Sequence, residues 1–127
     1  MMRWLRPFIS RRAVATGEVG LHVLSAMGAA SVEHVLNMPR GACPVSKNPV
    51  SGTIRIAYQP TQVVIELVSL HRVVEHAARH NPDEARSVEG LARWLHRQLE
   101  AAVDVPVVVE LDVVVMPGRQ RYRVRYG

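Results

Sequence analysis

The order of hydrophobic periodicities along the chain constrains its fold more than any single residue does. Apolar and polar residues alternate before residue 59 and again after residue 104, which is the spacing of half-buried strands. Between these regions the apolar spacing becomes that of amphipathic helices. A chain of 127 residues suits one domain with one core. We therefore expect an α+β fold in which two helices lie on one face of an antiparallel sheet.

Five strands and two helices are predicted, and for residues 32–38 a short helix is the alternative to a strand. The strands span residues 17–27, 32–38, 52–58, 105–115 and 120–126, and the last two are joined by a hairpin turn at Met116-Pro117-Gly118-Arg119. The first helix spans residues 66–80. The second begins with Asn81 as N-cap, Pro82 at the first helical position and Glu84 three residues after the cap, and it continues to about residue 102.

The predicted helices each have one apolar stripe. In the first helix the stripe is Leu70, Val73, Val74, Ala77 and Ala78, and in the second it is Val88, Leu91, Ala92, Leu95 and Leu99. The helix pair covers only one side of the sheet. We expect the other side to be apolar and buried against another subunit, which predicts an oligomer.

Composition and charge add further limits. Only one of the 16 lysine and arginine residues is a lysine, and the net charge is +5. Guanidinium groups suit bidentate recognition of phosphate or carboxylate, although a GC-rich or heat-adapted source gives the same bias.

We expect residues 1–16 to form a basic N-terminal arm, and residues 17–127 to form the single domain.

The lone cysteine excludes an internal disulfide, and no Cys/His cluster has zinc spacing, so we expect a reducing, cytoplasmic setting. We expect neither a signal peptide nor a membrane span. His76 and His80 have the spacing of a metal pair on a helix, but solvent-facing or interface histidines are more common, and no metal is predicted.

Residues 41–49 hold the lone thiol, Cys43, in a loop bounded by glycine and proline. Lys47 and the backbone N–H groups of such a loop favour a thiolate, which makes Cys43 a candidate nucleophile. The alternative is a small, buried and inert apolar residue.

Three segments carry a family resemblance: the Cys-Pro loop at Cys43, the strand ending in Tyr58-Gln59-Pro60, and Glu66-Leu67-Val68-Ser69-Leu70. They resemble the tunnelling-fold (T-fold) enzymes, most closely the 7-cyano-7-deazaguanine nitrile reductases (QueF) and the shorter QueF-like amidinotransferases of archaeal tRNA modification. The resemblance covers residues 41–127. The same stretch is similar to GTP cyclohydrolase I, but that family builds a zinc site from cysteine and histidine, and here Pro44, Val45 and Ser46 follow Cys43.

The resemblance implies a role for each matching residue. Cys43 would attack the nitrile carbon of 7-cyano-7-deazaguanine and form a covalent thioimide, with Lys47 stabilising the thiolate. Glu84 would hold the purine-like edge through two parallel hydrogen bonds, unless it serves only the helix cap. Glu66, Ser69 and Leu70 are the other substrate contacts that the resemblance implies.

Two departures from the reductases change the expected reaction. Their general acid, an aspartate seven residues after the cysteine, is replaced by Val50. Both lysines of their cofactor motif are replaced, by Val68 and His71, which removes charge-assisted contacts worth about 1.5–3 kcal/mol each. We therefore expect an enzyme that uses no NADPH and resolves the thioimide with an amine. The alternatives are the NADPH-dependent reductase, with His71 or Arg72 replacing the lysines, and a non-catalytic T-fold module that binds purines or pterins.

The expected partners are the 7-cyano-7-deazaguanine base, free or in tRNA of the queuosine or archaeosine pathways, and further copies of the chain. Arg119, Arg121, Arg123 and Arg125 are candidate phosphate contacts, together with Arg11 and Arg12. The alternative for this arginine row is a solvated strand that discourages edge pairing. The resemblance implies head-to-tail rings that stack into an oligomeric barrel, with sites at subunit boundaries.

Overall fold

Eight β-strands and two α-helices form the part of the chain that this computed structural model describes, namely residues 15–16, 19–39, 50–80 and 87–127. The fold is α+β with antiparallel sheets, as the sequence predicts. The elements are β1 (Ala15–Thr16), β2 (Val19–Gly20), β3 (Val23–Ser25), β4 (Val32–Asn37), β5 (Val50–Tyr58), β6 (Val63–Ile65), α1 (Leu67–His80), α2 (Val88–Val103), β7 (Val107–Val115) and β8 (Gln120–Tyr126).

The main sheet has four antiparallel strands in the order β4-β5-β7-β8. Both helices lie in the chain between its second and third strands. The hairpin between β7 and β8 has the predicted position, and β5 begins two residues before the predicted start. Two small ribbons, β1-β2 and β3-β6, complete the described sheets.

Alternation in the strands places one face of the main sheet in the hydrophobic core. His34, Ile54, Ile56, Val109 and Leu111 are buried on this face, and the residues between them are more exposed. The predicted stripes of both helices join the same core, except that Ala78 and Val88 are only partly buried. Helix α2 packs against β7 and β8, and α1 lies beside β1 and β2.

The second helix does not begin where the sequence predicts. It starts at Val88, and its N-cap is Ser87, whose backbone is extended and whose hydroxyl accepts a hydrogen bond from the Gly90 amide. A continuous helix from residue 82 is therefore wrong. The predicted cap at Asn81 lies outside the described residues. Both serine and asparagine are good N-caps, so the local sequence offers two starts and does not choose between them.

The predicted strand over residues 17–27 is divided in two. Strand β3 pairs with β6, a strand that the sequence analysis did not predict, while β2 pairs with β1. Leu21 and Val23 are both fully buried, as the alternation predicts, but Gly20, on the opposite face, is buried as well.

The sheet face away from the core, termed the open face, is not apolar, which corrects the prediction. The strand register places four guanidinium groups and three carboxylates on it, from Arg55, Arg121, Arg123, Arg125, Glu33, Glu110 and Asp112. Charged side chains of both signs are stable in contact with water, so this face gives no hydrophobic reason for oligomerisation. Within the described part of the chain, neither helix is long and apolar enough to cross a bilayer.

Candidate functional site

The predicted nucleophile and two of its partners cannot be placed. Cys43, Lys47 and Glu84 lie outside the described residues, so their roles stay predictions. Val50, at the position of the reductases' general acid, is the first residue of β5 and packs partly buried against the core. Its side chain carries no proton to donate, so any proton donor must come from elsewhere.

Glu66 is the N-cap of α1. Its two carboxylate oxygens accept hydrogen bonds from the amides of Val68 (2.7 Å) and Ser69 (2.8 Å), and its carbonyl oxygen accepts the first helical bond, from Leu70 (3.1 Å). These contacts satisfy amides that have no partner inside the helix. Burial raises the pKa of Glu66, but the hydrogen bonds from Val68 and Ser69 outweigh it, so the pKa lies below its ordinary value.

Ser69 connects the start of α1 to the segment before β3 through hydrogen bonds. Its buried hydroxyl donates to the Glu66 carbonyl oxygen (3.1 Å) and accepts from the His22 amide (3.0 Å). The Glu66 amide in turn donates to the His22 carbonyl oxygen (2.9 Å). The polar side-chain atoms of Glu66 and Ser69 therefore already have partners, and Leu70 is 1% exposed in the core. The predicted substrate contacts of these three residues stay predictions.

The exposed side chains at the start of α1 are apolar. Leu67 is 67% exposed and Val68 is 54% exposed. Val68 and His71, which replace the two family lysines, both lie on the surface. A cofactor phosphate at this point would meet valine and histidine where the reductases present two ammonium groups.

A buried hydrogen bond connects Tyr58, in one segment of the family resemblance, to Ile65, the residue before another of those segments. The Tyr58 hydroxyl oxygen accepts a hydrogen bond from the Ile65 amide at 2.8 Å, directly before Glu66. It also lies 3.2 Å from Nε2 of His34, whose ring stacks on that of Tyr58. Burial raises the pKa of Tyr58, although the Ile65 hydrogen bond partly offsets it, and burial lowers the pKa of His34.

Sequence reasoning did not assign a role to His34 or Tyr58. The signal for them was present, because His34 occurs on the predicted inward face of its strand between Val32 and Leu36. A buried polar side chain needs a hydrogen-bond partner, and the pairing of β4 with β5 brings that partner, Tyr58, to it.

Three members of the arginine row lie on β8, at one edge of the main sheet, and two of these three are bound to a carboxylate. Arg121 donates to both oxygens of Asp112 (3.0 and 2.7 Å), and Nε of Arg123 donates to one of them (3.2 Å). The Arg121 hydrogen bond is the largest reason that the pKa of Asp112 is lowered to about 2. Arg125 is opposite Glu110 in the strand register, and Arg119 is in the hairpin turn. Phosphate binding by this row stays a prediction, and the ion pairs favour the solvated-strand alternative.

Several surface depressions occur in the described part of the chain. One, about 700 Å³, lies at one end of the open face between Glu33, Ala57, Gln59, Pro106 and Val108. Another, about 270 Å³, is lined by Thr53, Arg55, Glu110, Asp112 and Arg123, and a further one, about 250 Å³, surrounds Glu75 on α1. Arg123 is a predicted phosphate contact, and His71 and Arg72, which line the depression at Glu75, are the predicted replacements for the cofactor lysines.

The rings of His76 and His80 are adjacent, with centroids 4.1 Å apart. Within residues 15–16, 19–39, 50–80 and 87–127, no group of three or more histidine, cysteine, aspartate or glutamate side chains is arranged to hold a metal ion.

Comparison of the sequence with protein-family models gave no match, and comparison with curated proteins gave none either. The family resemblance therefore rests on the sequence segments alone and stays a prediction.

Proposed function

We propose that the chain is a QueF-like T-fold enzyme of 7-deazaguanine tRNA modification. In this proposal Cys43 forms a thioimide with the nitrile of 7-cyano-7-deazaguanine, and an amine resolves the thioimide without NADPH. The observation that carries the proposal is the Tyr58–Ile65 hydrogen bond, which holds the Tyr-x-Pro strand end against the residue that precedes the Glu-x-x-Ser-Leu helix start. The α+β fold, with two helices and antiparallel sheets, supports it further.

The proposed chemistry balances without an oxidant or a reductant. The Cys43 thiolate attacks the nitrile carbon, a C–S bond forms, and the nitrile nitrogen takes up a proton. A primary amine then attacks the same carbon, the C–S bond breaks, and the thiolate leaves behind an amidine. Lys47, four residues from Cys43, would stabilise the thiolate at neutral pH.

The surface at the start of α1 favours the amine over a hydride. Val68 is half exposed where the reductases have a cofactor lysine, and its neighbour Leu67 is also exposed. Phosphate groups bind best to cationic side chains with charge-assisted hydrogen bonds. The NADPH-dependent reductase remains the second candidate, because His71 and Arg72 are exposed on the next turn of the same helix. A binding module without turnover is the third, since Val50 cannot replace the general acid.

The proposal includes assembly of several copies into a barrel. Strands β4 and β8 form the edges of the main sheet in the described residues, and edge strands present backbone groups that can pair with another chain. Light scattering at working concentration tests this part, and a monomer would contradict it.

The deciding experiment measures the intact mass of the protein after incubation with 7-cyano-7-deazaguanine. Addition to a nitrile loses no atoms, so the wild-type mass should increase by the full mass of the base. The Cys43→Ala variant should show no increase. Subsequent ammonia or a primary amine should remove the adduct and release an amidine, while NADPH should leave both the adduct and its own absorbance unchanged.

Absence of an adduct on folded wild-type protein would refute the covalent mechanism. Loss of NADPH absorbance would select the reductase, and tight binding of the base without an adduct would select the binding module.

A further inference from the structure

We propose that His34 and Tyr58 are positioning residues that hold the start of α1 in the geometry that the substrate requires. The inference rests on the proposed function, because that function assigns substrate contacts to Glu66, Ser69 and Leu70. His34 and Tyr58 are 7% and 5% exposed, on the core face of β4 and β5, so they do not offer a surface to a ligand themselves.

The proposal assigns each proton of this pair to one atom. The Tyr58 hydroxyl oxygen accepts from the Ile65 amide, and the hydroxyl proton needs an acceptor. Nε2 of His34 lies 3.2 Å from the hydroxyl oxygen and accepts this proton when the ring is neutral with its own proton on Nδ1. The proposal adopts this tautomer. The lowered pKa of His34 and the raised pKa of Tyr58 agree with this assignment.

The same network continues to the proposed substrate segment. Ile65 is held by Tyr58 from the main sheet, and the next residue, Glu66, donates its amide proton to the His22 carbonyl oxygen. Ser69 is held by the His22 amide. Ile65 is thus hydrogen-bonded to the four-stranded sheet, and the next residue, Glu66, is hydrogen-bonded to the segment before β3. Loss of the Tyr58 hydroxyl would leave the Ile65 amide without its buried hydrogen-bond partner. The hydrogen bonds to His22 would then remain to hold the start of α1.

Tyr58→Phe tests this proposal because it removes one oxygen and keeps the ring in the core. Tyr122→Phe is the matched control, since it also removes one hydroxyl, from β8, where Tyr122 hydrogen-bonds to Glu89 on α2 and not to a residue of α1. Two quantities are measured on the full chain: amide hydrogen exchange along the backbone, and the concentration of 7-cyano-7-deazaguanine that gives half-maximal adduct at Cys43.

In Tyr58→Phe we expect about tenfold faster exchange at Ile65, Val68 and Ser69, and about a tenfold higher half-saturating base concentration. The adduct rate at saturating base should not change, and Tyr122→Phe should change neither quantity. His34→Leu should behave like Tyr58→Phe. His34→Gln should restore wild-type values, because its amide oxygen accepts the Tyr58 proton.

Unchanged exchange at Ile65 to Ser69 in Tyr58→Phe would overturn the proposal. So would equally faster exchange in all strands, since that indicates only a loss of global stability. If the wild-type protein forms no adduct, the proposed function fails separately, and the exchange comparison still decides whether Tyr58 and His34 position this segment.

Discussion

Gly52 allows β5 and β7 to approach closely. Its backbone has a φ of +146°, a conformation that residues with a side chain rarely adopt. A Cβ atom at this position would overlap the carbonyl oxygen of Asp112 on β7. The Gly52 carbonyl oxygen also accepts a hydrogen bond from the Met38 amide at 2.8 Å. One residue without a side chain therefore maintains contact among three neighbouring strand segments at this end of the sheet.

Gly52→Ala should lower the free energy of unfolding by about 2–3 kcal/mol, because the new methyl group meets rigid backbone in a strained conformation. Urea unfolding followed by circular dichroism measures the change. Gly118→Ala, in the hairpin turn, is the control, since a Cβ there meets no atom within 4 Å. Equal unfolding midpoints for the two variants would contradict the prediction.

His34 should make stability depend on pH near neutrality. Burial lowers its pKa below the ordinary value of 6.5, so the folded protein binds this proton less readily than the unfolded chain does. The stabilising contribution is fully present above pH 6.5 and is lost as the pH falls toward the folded-state pKa.

The matched variant is His34→Gln, which accepts from Tyr58 but does not titrate. The free energy of unfolding of the wild type, relative to this variant, should decrease between about pH 7.5 and pH 5.5. A difference that stays constant across that range would show that His34 does not contribute.

The two helices begin at side-chain caps of different kinds. Helix α2 begins at Ser87, whose hydroxyl accepts from the Gly90 amide at 2.9 Å, and ends at Asp104, which adopts a left-handed conformation. Helix α1 begins at Glu66, whose longer side chain folds back to accept from two amides. The resemblance predicts that Glu66 contacts substrate, while these bonds give it a structural role as well.

Glu66→Ala should destabilise the protein by about 1 kcal/mol, because two amides of the first turn of α1 lose their partner. Glu75→Ala, on the exposed side of the same helix, should change stability by less than about 0.5 kcal/mol, since its contacts with His71 and Arg79 are solvent-exposed ion pairs. Thermal unfolding of both variants measures the difference. Similar melting temperatures would mean that the cap contributes nothing.

At the scale of the whole fold, the open face of the described residues carries positive and negative side chains side by side. Its arginines alternate with carboxylates across β5, β7 and β8, so most of the row on β8 is opposed by a negative group. A net charge of +5 therefore does not produce a uniformly basic surface on this face. Binding to tRNA, if it uses the row, would have to displace the ion pairs of Asp112.

Asp112→Asn should increase the salt concentration needed to elute the protein from heparin or to dissociate it from tRNA. The change releases Arg121 and Arg123 from their carboxylate partner, and each free guanidinium can then neutralise a phosphate or sulfate. Asp104→Asn is the control, because it makes the same change in net charge at the end of α2 and asparagine tolerates the left-handed conformation. Identical elution of the two variants would indicate that the open face is not accessible to polyanions.

Local patterns were sufficient for most of the elements. The structure has the predicted alternation in β4, β5 and β8, the predicted stripes of α1 and α2, and the predicted turn at Met116 to Arg119. Each of these features is a property of neighbouring residues. Periodicity can identify such elements because it reflects which side of a single helix or strand is buried. The same patterns do not report how separate strands pair.

Apart from the start of α2, the features that the sequence did not reveal depend on pairing between separate segments. The division into β2 and β3 follows from the pairing of β3 with β6, and the charged open face follows from a register that places Glu110 and Asp112 beside the arginines of β5 and β8. The charged face of β7 was not predicted from its valine-rich sequence, because alternation within one strand does not show which residues of neighbouring strands lie beside it. His34, Tyr58 and Ile65 are 24 and 7 residues apart, and only the packing of β4, β5 and β6 brings them into one network.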